Sequence, residues 1–498
     1  MNTGLLIAVL VYEVALILGV GLWIAKREAS HPKHEGDFAL AGRNLPVPVV
    51  AITLALTVLG TAHILGVFEM VWGVGAAAVW FSIAHVILLV IVCLSTGLWV
   101  RRLGLTTVPE ILDMLYGRAT RLFVSCTMAG IIFGILTIET QGIGIIIATM
   151  TGWEIKDGAI VGAIIGIFYV ILAGMKEVGW LNLINATVMY IGLILATIYL
   201  ALALPGGDYS SIYHHYADNP ATEHMLSIWG NSQIFLTFSL GMVIAVVFSQ
   251  SINQMLMQPC MSAASEQTIR KALWWAAPIN GMFGVFAVVI GLTAAALPEF
   301  AELGPKQAAT TMLVELLPPW LSAILLASFL AAILSTFAMT SLAPATIVTV
   351  DIYKNLYRPN ATEKELTLVM RILIVVMACI AMAVAAALPP ILAAMNWLFS
   401  WLVPVFWIVL FGLFWKRSSA VALATLAAAW IANSTWSFTS IHELIPVFGP
   451  ADNAYITLFV TLFFCVGGNL IAKGKPGFFK SEEYQTRVDN QAASEAAA

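Results

Sequence analysis

The chain has 498 residues, of which 60% are apolar and only 10% charged, with a net charge of −4. A soluble domain carries roughly 25% charged residues, so a string of soluble domains of this length is excluded. A nucleic-acid binder would gather basic residues on one face. None does here, so nucleic acid is not an expected partner and the chain is a polytopic membrane protein in a lipid bilayer.

A membrane helix needs roughly 20 mainly apolar residues. Thirteen stretches qualify: 4–25, 47–70, 74–99, 121–150, 157–175, 182–204, 233–257, 273–297, 318–350, 368–387, 390–414, 418–438 and 453–472. They predict an all-α protein with one transmembrane domain over 1–475 and a polar, disordered cytoplasmic tail over 476–498. The loop 298–317 is predicted helical from Gln307 to Leu317. Lysine and arginine orient the map, because cytoplasmic loops carry them in excess. With the N-terminus outside, 21 of the 23 basic residues fall on the inner side, leaving only Lys156 and Lys306 outside. That alternation predicts a multi-pass protein of the cell membrane that starts outside and ends in the cytoplasm.

In chain order, the first span carries Glu13, read as structural. The second places Gly60, Thr61, His63 and Gly66 inside its apolar run, with Glu69 near its outer end. Transport sites are often built from broken helices, whose unwound backbone offers carbonyls to an ion. Such breaks are tolerated only where they are buried or line a cavity. The competing reading of these glycines is close helix packing. His63 is a candidate because imidazole titrates near neutral pH. His85 in the third span reads as a packing histidine, and Glu110 and Asp113 as cap or gate contacts. Glu139, mid-way along the fourth span, is costly at about 2.5–3.5 kcal/mol on insertion scales. It is protonated, paired with His63, facing a polar cavity, or bonded to a neighbouring helix.

The seventh span ends in Ser249-Gln-Ser-Ile-Asn-Gln254, followed by Gln258. On a continuous helix Gln250, Asn253, Gln254 and Gln258 share one face, which should look into the bundle or onto a water-filled path. Spans two and seven lie five apart, so equivalent helices run in opposite directions, the arrangement of an inverted repeat. Its halves would be spans 2–6 and 7–11, about 47–204 and 233–414. In the ninth span Ser335 and Thr336 are adjacent hydroxyls in an apolar run. With carbonyls from a facing broken helix they would form a neutral oxygen cage for a hard cation such as sodium. The plain alternative is hydroxyls bonded one turn back along their own helix.

No cysteine pair has C-x-x-C spacing, so no zinc or disulfide framework is predicted. No nucleophile–base arrangement and no H-E-x-x-H run occurs, so an enzyme with catalytic residues or a cofactor is not expected.

The sequence resembles the sodium:solute symporter family, the relatives of the sodium/proline and sodium/glucose symporters. The landmarks are Asp37-Phe-Ala-Leu-Ala-Gly-Arg-Asn-Leu-Pro46, Thr107-Val-Pro-Glu-Ile-Leu112 with Tyr116-Gly-Arg118, and Gln141. Further ones are Asn253-Gln254 with Gln258, Ala331-Ala-Ile-Leu-Ser-Thr336 with Asp351-Ile-Tyr-Lys354, and Trp415-Lys-Arg417. The resemblance implies a LeuT-type five-plus-five inverted repeat with peripheral helices. It also implies alternating access and sodium-coupled symport of a small organic solute. The implied sodium site is the hydroxyls of Ser335 and Thr336 with carbonyls at Leu56, Leu59 and Ala332. The implied solute site draws on Ala62, His63 and Gly66, on Glu139 and Gln141, on Ser249, Gln250 and Asn253, and on Asn396 and Trp397. Two positions depart from the family: Leu181-Asn182 with Asn185 replaces a stretch that often carries Thr-Asp, and Pro259 follows Gln258 where arginine is common. A proton-coupled or uncoupled carrier on the same fold therefore stays open, as do the solute and the oligomeric state.

Overall fold

The computed structural model describes residues 3–28, 37–385, 391–444 and 453–486. The elements that position the site are α1 (Thr3–Glu28), α2 (Val47–Thr57), α3 (Val67–Val74), α4 (Trp80–Ile91), α5 (Val108–Tyr116), α6 (Arg118–Thr151) and α7 (Ile155–Ala203). They continue with α8 (Gly241–Gln250), α9 (Gln254–Ser262), α10 (Glu266–Ala296), α11 (Pro319–Ile347) and α12 (Glu363–Ala385). The last are α13 (Ile391–Ser400), α14 (Val403–Phe414), α15 (Ser419–Phe438) and α16 (Asn453–Ile471).

Among the described residues ten helical segments are long and apolar enough to cross a membrane. The second span is two pieces, α2 and α3, joined through non-helical Val58–Gly60 and a π-turn over Ala62–Gly66. The seventh is likewise α8 and α9, parted at 251–253, and the eleventh is α13 and α14, parted at Trp401–Leu402. The first span appears as a shorter apolar helix, Gly4–Val20, inside α1.

The predicted fifth and sixth spans run together as α7. Gly166 packs against the Phe337 ring and Gly192 against Leu325. Those partners are 12 residues apart on α11, about 18 Å at helical rise, whereas 26 residues of straight helix would cover about 39 Å. The ribbon therefore bends between Gly166 and Gly192.

Helices α6, α7 and α11 pack on one another, and α1 packs against all three. α11 is buried along nearly its whole length. α10 packs on α2, α3 and α4, and α8 on α4, α13 and α14. The pattern on α1 is plain amphipathicity turned inside out. Leu5, Val9, Glu13 and Val20 are buried, while Ile7, Val11, Val14, Leu18 and Leu22 are exposed apolar residues suited to lipid.

One end of the bundle is tied by charge. Arg121 Nε and Nη2 each lie 2.7 Å from Asp351 Oδ1, and Nη1 lies 2.9 Å from Asp113 Oδ2. Thr107 donates to the same Asp351 oxygen at 3.0 Å. Thr107 and Glu110 also form the capping box that starts α5. At this end the first part of the predicted tail, as far as Thr486, is folded. Lys475–Pro476 pairs antiparallel with Lys416–Arg417, and the Gly477 N–H donates to the Trp415 carbonyl at 2.9 Å. Phe478 is buried, with the Arg417 guanidinium 5.4 Å over its ring. Arg417 Nη1 reaches Glu483 at 2.8 Å and holds that carboxyl below the usual range. Three aromatics, Phe478, Phe479 and Tyr484, pack together and onto Phe414. Average polarity over the tail hid that cluster. Residues 487–498 lie outside the described residues.

Candidate ion and solute site

The break in the second span is held by one carboxylate. Glu139 Oε2 accepts the Thr61 N–H at 2.8 Å, taking a donor left free where the helix restarts. Gly60 makes this possible, because a Cβ there would lie 2.5 Å from Oε2. Gly142, one turn along α6 from Glu139, leaves room for the Thr61 side chain. Glu139 is thus a backbone ligand from a neighbouring helix rather than a partner of His63.

Opposite the break lie the hydroxyls of α11. Thr336 Oγ1 donates to the Leu56 carbonyl at 3.0 Å and lies 3.4 Å from the Ala332 carbonyl. The Leu59 N–H turns back to Leu56 O at 3.1 Å. Ser335 Oγ is fully buried with no hydrogen-bond partner among the described residues. Leu56, Leu59, Ala332 and Thr336 are buried as well. Of the residues named from sequence, the Thr336 hydroxyl and the Leu56 and Ala332 carbonyls meet within hydrogen-bond reach, a neutral, all-oxygen grouping. That chemistry suits a hard monovalent cation and does not require a carboxylate. A buried hydroxyl with no partner is the kind of orphan a bound ion or water satisfies.

The solute candidates converge by segment more than by side chain. The π-turn Ala62–Gly66 packs against α13, which carries Asn396 and Trp397, and against α6, which carries Glu139 and Gln141. α8, ending in Ser249 and Gln250, also packs on α13. Gln141 Oε1 and Asn396 Oδ1 are buried and unpaired. His63 instead faces α4 and α10. Its ring centre lies 4.5 Å from those of Phe81 and His85 and 6.5 Å from Phe283. Its polar neighbours are the Val58 backbone and the Asn280 side chain, whereas His85 Nδ1 is bonded to the Phe81 carbonyl at 2.8 Å. Trp397 turns to Trp401 and to Phe438 of the peripheral α15.

The shared amide face predicted for the seventh span does not form, because the helix ends at Gln250. Asn253 Oδ1 instead caps α9 by accepting the Met255 N–H at 3.1 Å, and its Nδ2 donates to Gln250 Oε1 at 2.9 Å. Gln250 Nε2 reaches Ser249 Oγ at 3.4 Å. Gln254 accepts the Val108 N–H at 2.8 Å, and Gln258 donates to the Ala39 carbonyl at 2.8 Å. These two join elements rather than line a path. The sequence reading passed over Ser82 and Asn280, on the helices that surround His63. Asn280 Nδ2 donates to the Ala55 carbonyl at 3.2 Å, while its Oδ1 and Ser82 Oγ are buried and unpaired. A lone amide in the eighth span was the available signal.

The sodium:solute symporter family model matches residues 38–428. The chain belongs to the sodium:solute symporter family. It is 25% identical over 447 residues to the sodium/glucose cotransporter of Vibrio parahaemolyticus, covering 83% of this chain and 81% of that protein. It is 27% identical over 315 residues to the sodium/proline symporter of Haemophilus influenzae, covering 60% and 62%. Its fold is similar to that of a Na+-coupled sialic acid symporter solved in a substrate-bound outward-open state. That likeness has a TM-score of 0.78 at 16% identity and covers 95% of this chain and 99% of the other. The fold is accordingly the LeuT type, and the broken helices of spans two and seven stand at corresponding places in its two halves. The family and fold are those of multi-pass membrane transporters.

Proposed function

We propose that sodium binds between the break in span two and the hydroxyl pair of α11. The ligands are the Leu56, Leu59 and Ala332 carbonyls with Ser335 and Thr336. The observation that carries this reading is the Thr336–Leu56 hydrogen bond beside the unpartnered Ser335 hydroxyl. An ion arriving there takes the Leu56 carbonyl from Thr336 and gives Ser335 its partner. Because the ligands come from two different helices, binding clamps the broken helix against α11. Release would free them to move apart, which is the mechanical requirement of alternating access.

The solute would sit beside the same break, within the contact of the Ala62–Gly66 turn, α6, α8 and α13. Ala62, Gly66, Gln141 and Asn396 are the side chains and backbone best placed for it. Ser249, Gln250 and Asn253 shape its wall by bonding one another, and Trp397 supports from behind. Glu139 holds the break open, and His63 belongs to a neighbouring polar pocket with His85, Ser82 and Asn280. The chain lies in the cell membrane with its N-terminus outside and its C-terminus in the cytoplasm, as the basic-residue asymmetry supports. It performs no covalent chemistry and uses sodium as its coupling ion.

Purified protein should melt at higher temperature in sodium chloride than in choline chloride, and a solute library screened in sodium should raise it further. The solute so found should enter proteoliposomes only down a sodium gradient. Sodium-indifferent uptake would overturn the coupling. Uptake driven by a pH gradient without sodium would favour the alternative, a proton-driven or uncoupled carrier on the same fold.

A further inference from the structure

Glu13 is placed where a peripheral helix should not carry a carboxylate. It lies in mid-α1 on the buried stripe, is 1% exposed, and has Oε1 without a hydrogen-bond partner. No described lysine or arginine pairs with it. A mid-membrane carboxylate with no cation partner is costly in its ionised form. Asn182 on α7 is wholly buried, and both its amide atoms are unpaired among the described residues. Asn185, one turn away, accepts the Tyr12 hydroxyl at 3.0 Å, which sets Glu13 within a turn of Asn182 in depth.

The same helices fix the relation to the sodium site. The Tyr199 ring lies 6.3 Å from that of Trp320, and Gly192 packs against Leu325, so the second half of α7 runs antiparallel to α11. Continuing ten residues from that contact, about 15 Å on each helix, brings Asn182 level with Ser335. Helices α1, α7 and α11 pack mutually. Glu13 Oε1, the Asn182 amide and Ser335 Oγ, each without a hydrogen-bond partner among the described residues, therefore share one depth on three mutually packed helices. Tyr12 is the titratable neighbour on α1, and its hydroxyl is already held by Asn185. α7 offers amides there and α11 hydroxyls, while the mid-span carboxylate of α6, Glu139, is bonded to Thr61.

We propose that Glu13 is a proton-binding site, and that sodium binding at Ser335–Thr336 expels its proton. A sodium ion would need several more oxygens than Glu13 and Asn182 supply, whereas a proton needs one acceptor. The protonated acid donates to an amide oxygen, and the Asn182 amide has both an acceptor and donors to give. A positive ion at the level of Ser335 acts through a low-dielectric interior, where charges interact strongly, and favours the carboxylate. The Glu13 O–H bond then opens, its electron pair stays on the carboxylate, and the proton passes to bulk water. This rests on the sodium reading above.

The test uses the purified full chain in detergent under weak buffering near neutral pH, with a pH-indicator dye. Sodium chloride should release protons, approaching one per chain at saturation, and choline chloride should not. Glu13→Gln should lose the release by about ten-fold or more while its melting temperature still rises with sodium, which shows a folded chain with a working ion site. Ser335→Ala should shift both responses to higher sodium. A thermal response to sodium without proton release, or release unchanged in Glu13→Gln, overturns the proton site alone. Absence of any thermal response in the unmodified chain overturns the sodium site and the proton site with it.

Discussion

Gly60→Ala is the sharpest test of how the helix break is held. A Cβ at this position would lie 2.5, 2.6 and 2.8 Å from Oε2, Oε1 and Cδ of Glu139. Real Cβ atoms do not approach that closely, so the carboxylate must withdraw and give up the Thr61 N–H. Overpacking a tight interior costs about 1–3 kcal/mol. Losing a buried hydrogen bond to a carboxylate adds about 1.5–3 kcal/mol. Together the substitution should cost on the order of 2.5–6 kcal/mol, in melting temperature and in sodium response, because the same break presents Leu56 and Leu59. Shortening the acid removes the clash, so Gly60→Ala with Glu139→Ala should be less damaged than the sum of the two single changes. The assay is a double-mutant cycle on melting temperature, with and without sodium. Strict additivity, or a Gly60→Ala chain that melts and responds to sodium like the unmodified one, would refute the account.

Thr336→Val keeps the shape of the side chain but removes the hydroxyl bonded to Leu56. It should raise the half-saturating sodium concentration about ten-fold or more, equivalent to at least ~1.4 kcal/mol, in a thermal or isotope binding titration. Arg121→Gln strands a fully buried Asp351 and should cost about 3–5 kcal/mol, seen as lost monodisperse protein. Adding Asp351→Asn should recover much of it. Asn253→Ala removes the cap of α9 and should lower stability by about 0.5–2 kcal/mol in the same melts. The folded C-terminal clip should be acid-sensitive. Arg417 holds the Glu483 carboxyl below its usual range, so the pair's contribution is complete above the unfolded carboxyl value, about pH 4.3. It is lost as pH falls through the lower folded value. With Glu483 half exposed the pair contributes at most about 1 kcal/mol. A fluorophore at Ser481→Cys should show anisotropy falling only in that acid window, and Glu483→Gln should lower it at neutral pH. Anisotropy that is flat into acid would count against the clip.

Much of the architecture was legible because a bilayer leaves few options. Apolar length marked where helices can lie, and ten segments among the described residues are long and apolar enough to span; the placement of 21 of 23 basic residues supplies the expected alternation. The hydroxyl pair Ser335–Thr336 stood out because hydroxyls are conspicuous in an apolar run. Helix breaks were harder to read. Gly60 marked the first, but the second, at 251–253, sits among amides that fit a continuous helix equally well until Asn253 is seen capping α9. Tail order also escaped, because three aromatics decide it while the average composition stays polar.

The sequence by itself determined the membrane class and the family, since each rests on local composition or on order along the chain. Only the tertiary structure decided what the buried polar groups do. Glu139 and His63 look alike as candidates in sequence, yet one binds a backbone N–H and the other stacks among rings. Glu13 read as structural, and Asn182 as a mere departure from the family. The packing of α1 on α7 and α11 puts both at the depth of Ser335, with Glu13 Oε1 and the Asn182 amide unpartnered among the described residues. In a low-dielectric interior a polar group's role is set by which partner stands within hydrogen-bonding reach, and distance along the chain carries no information about that.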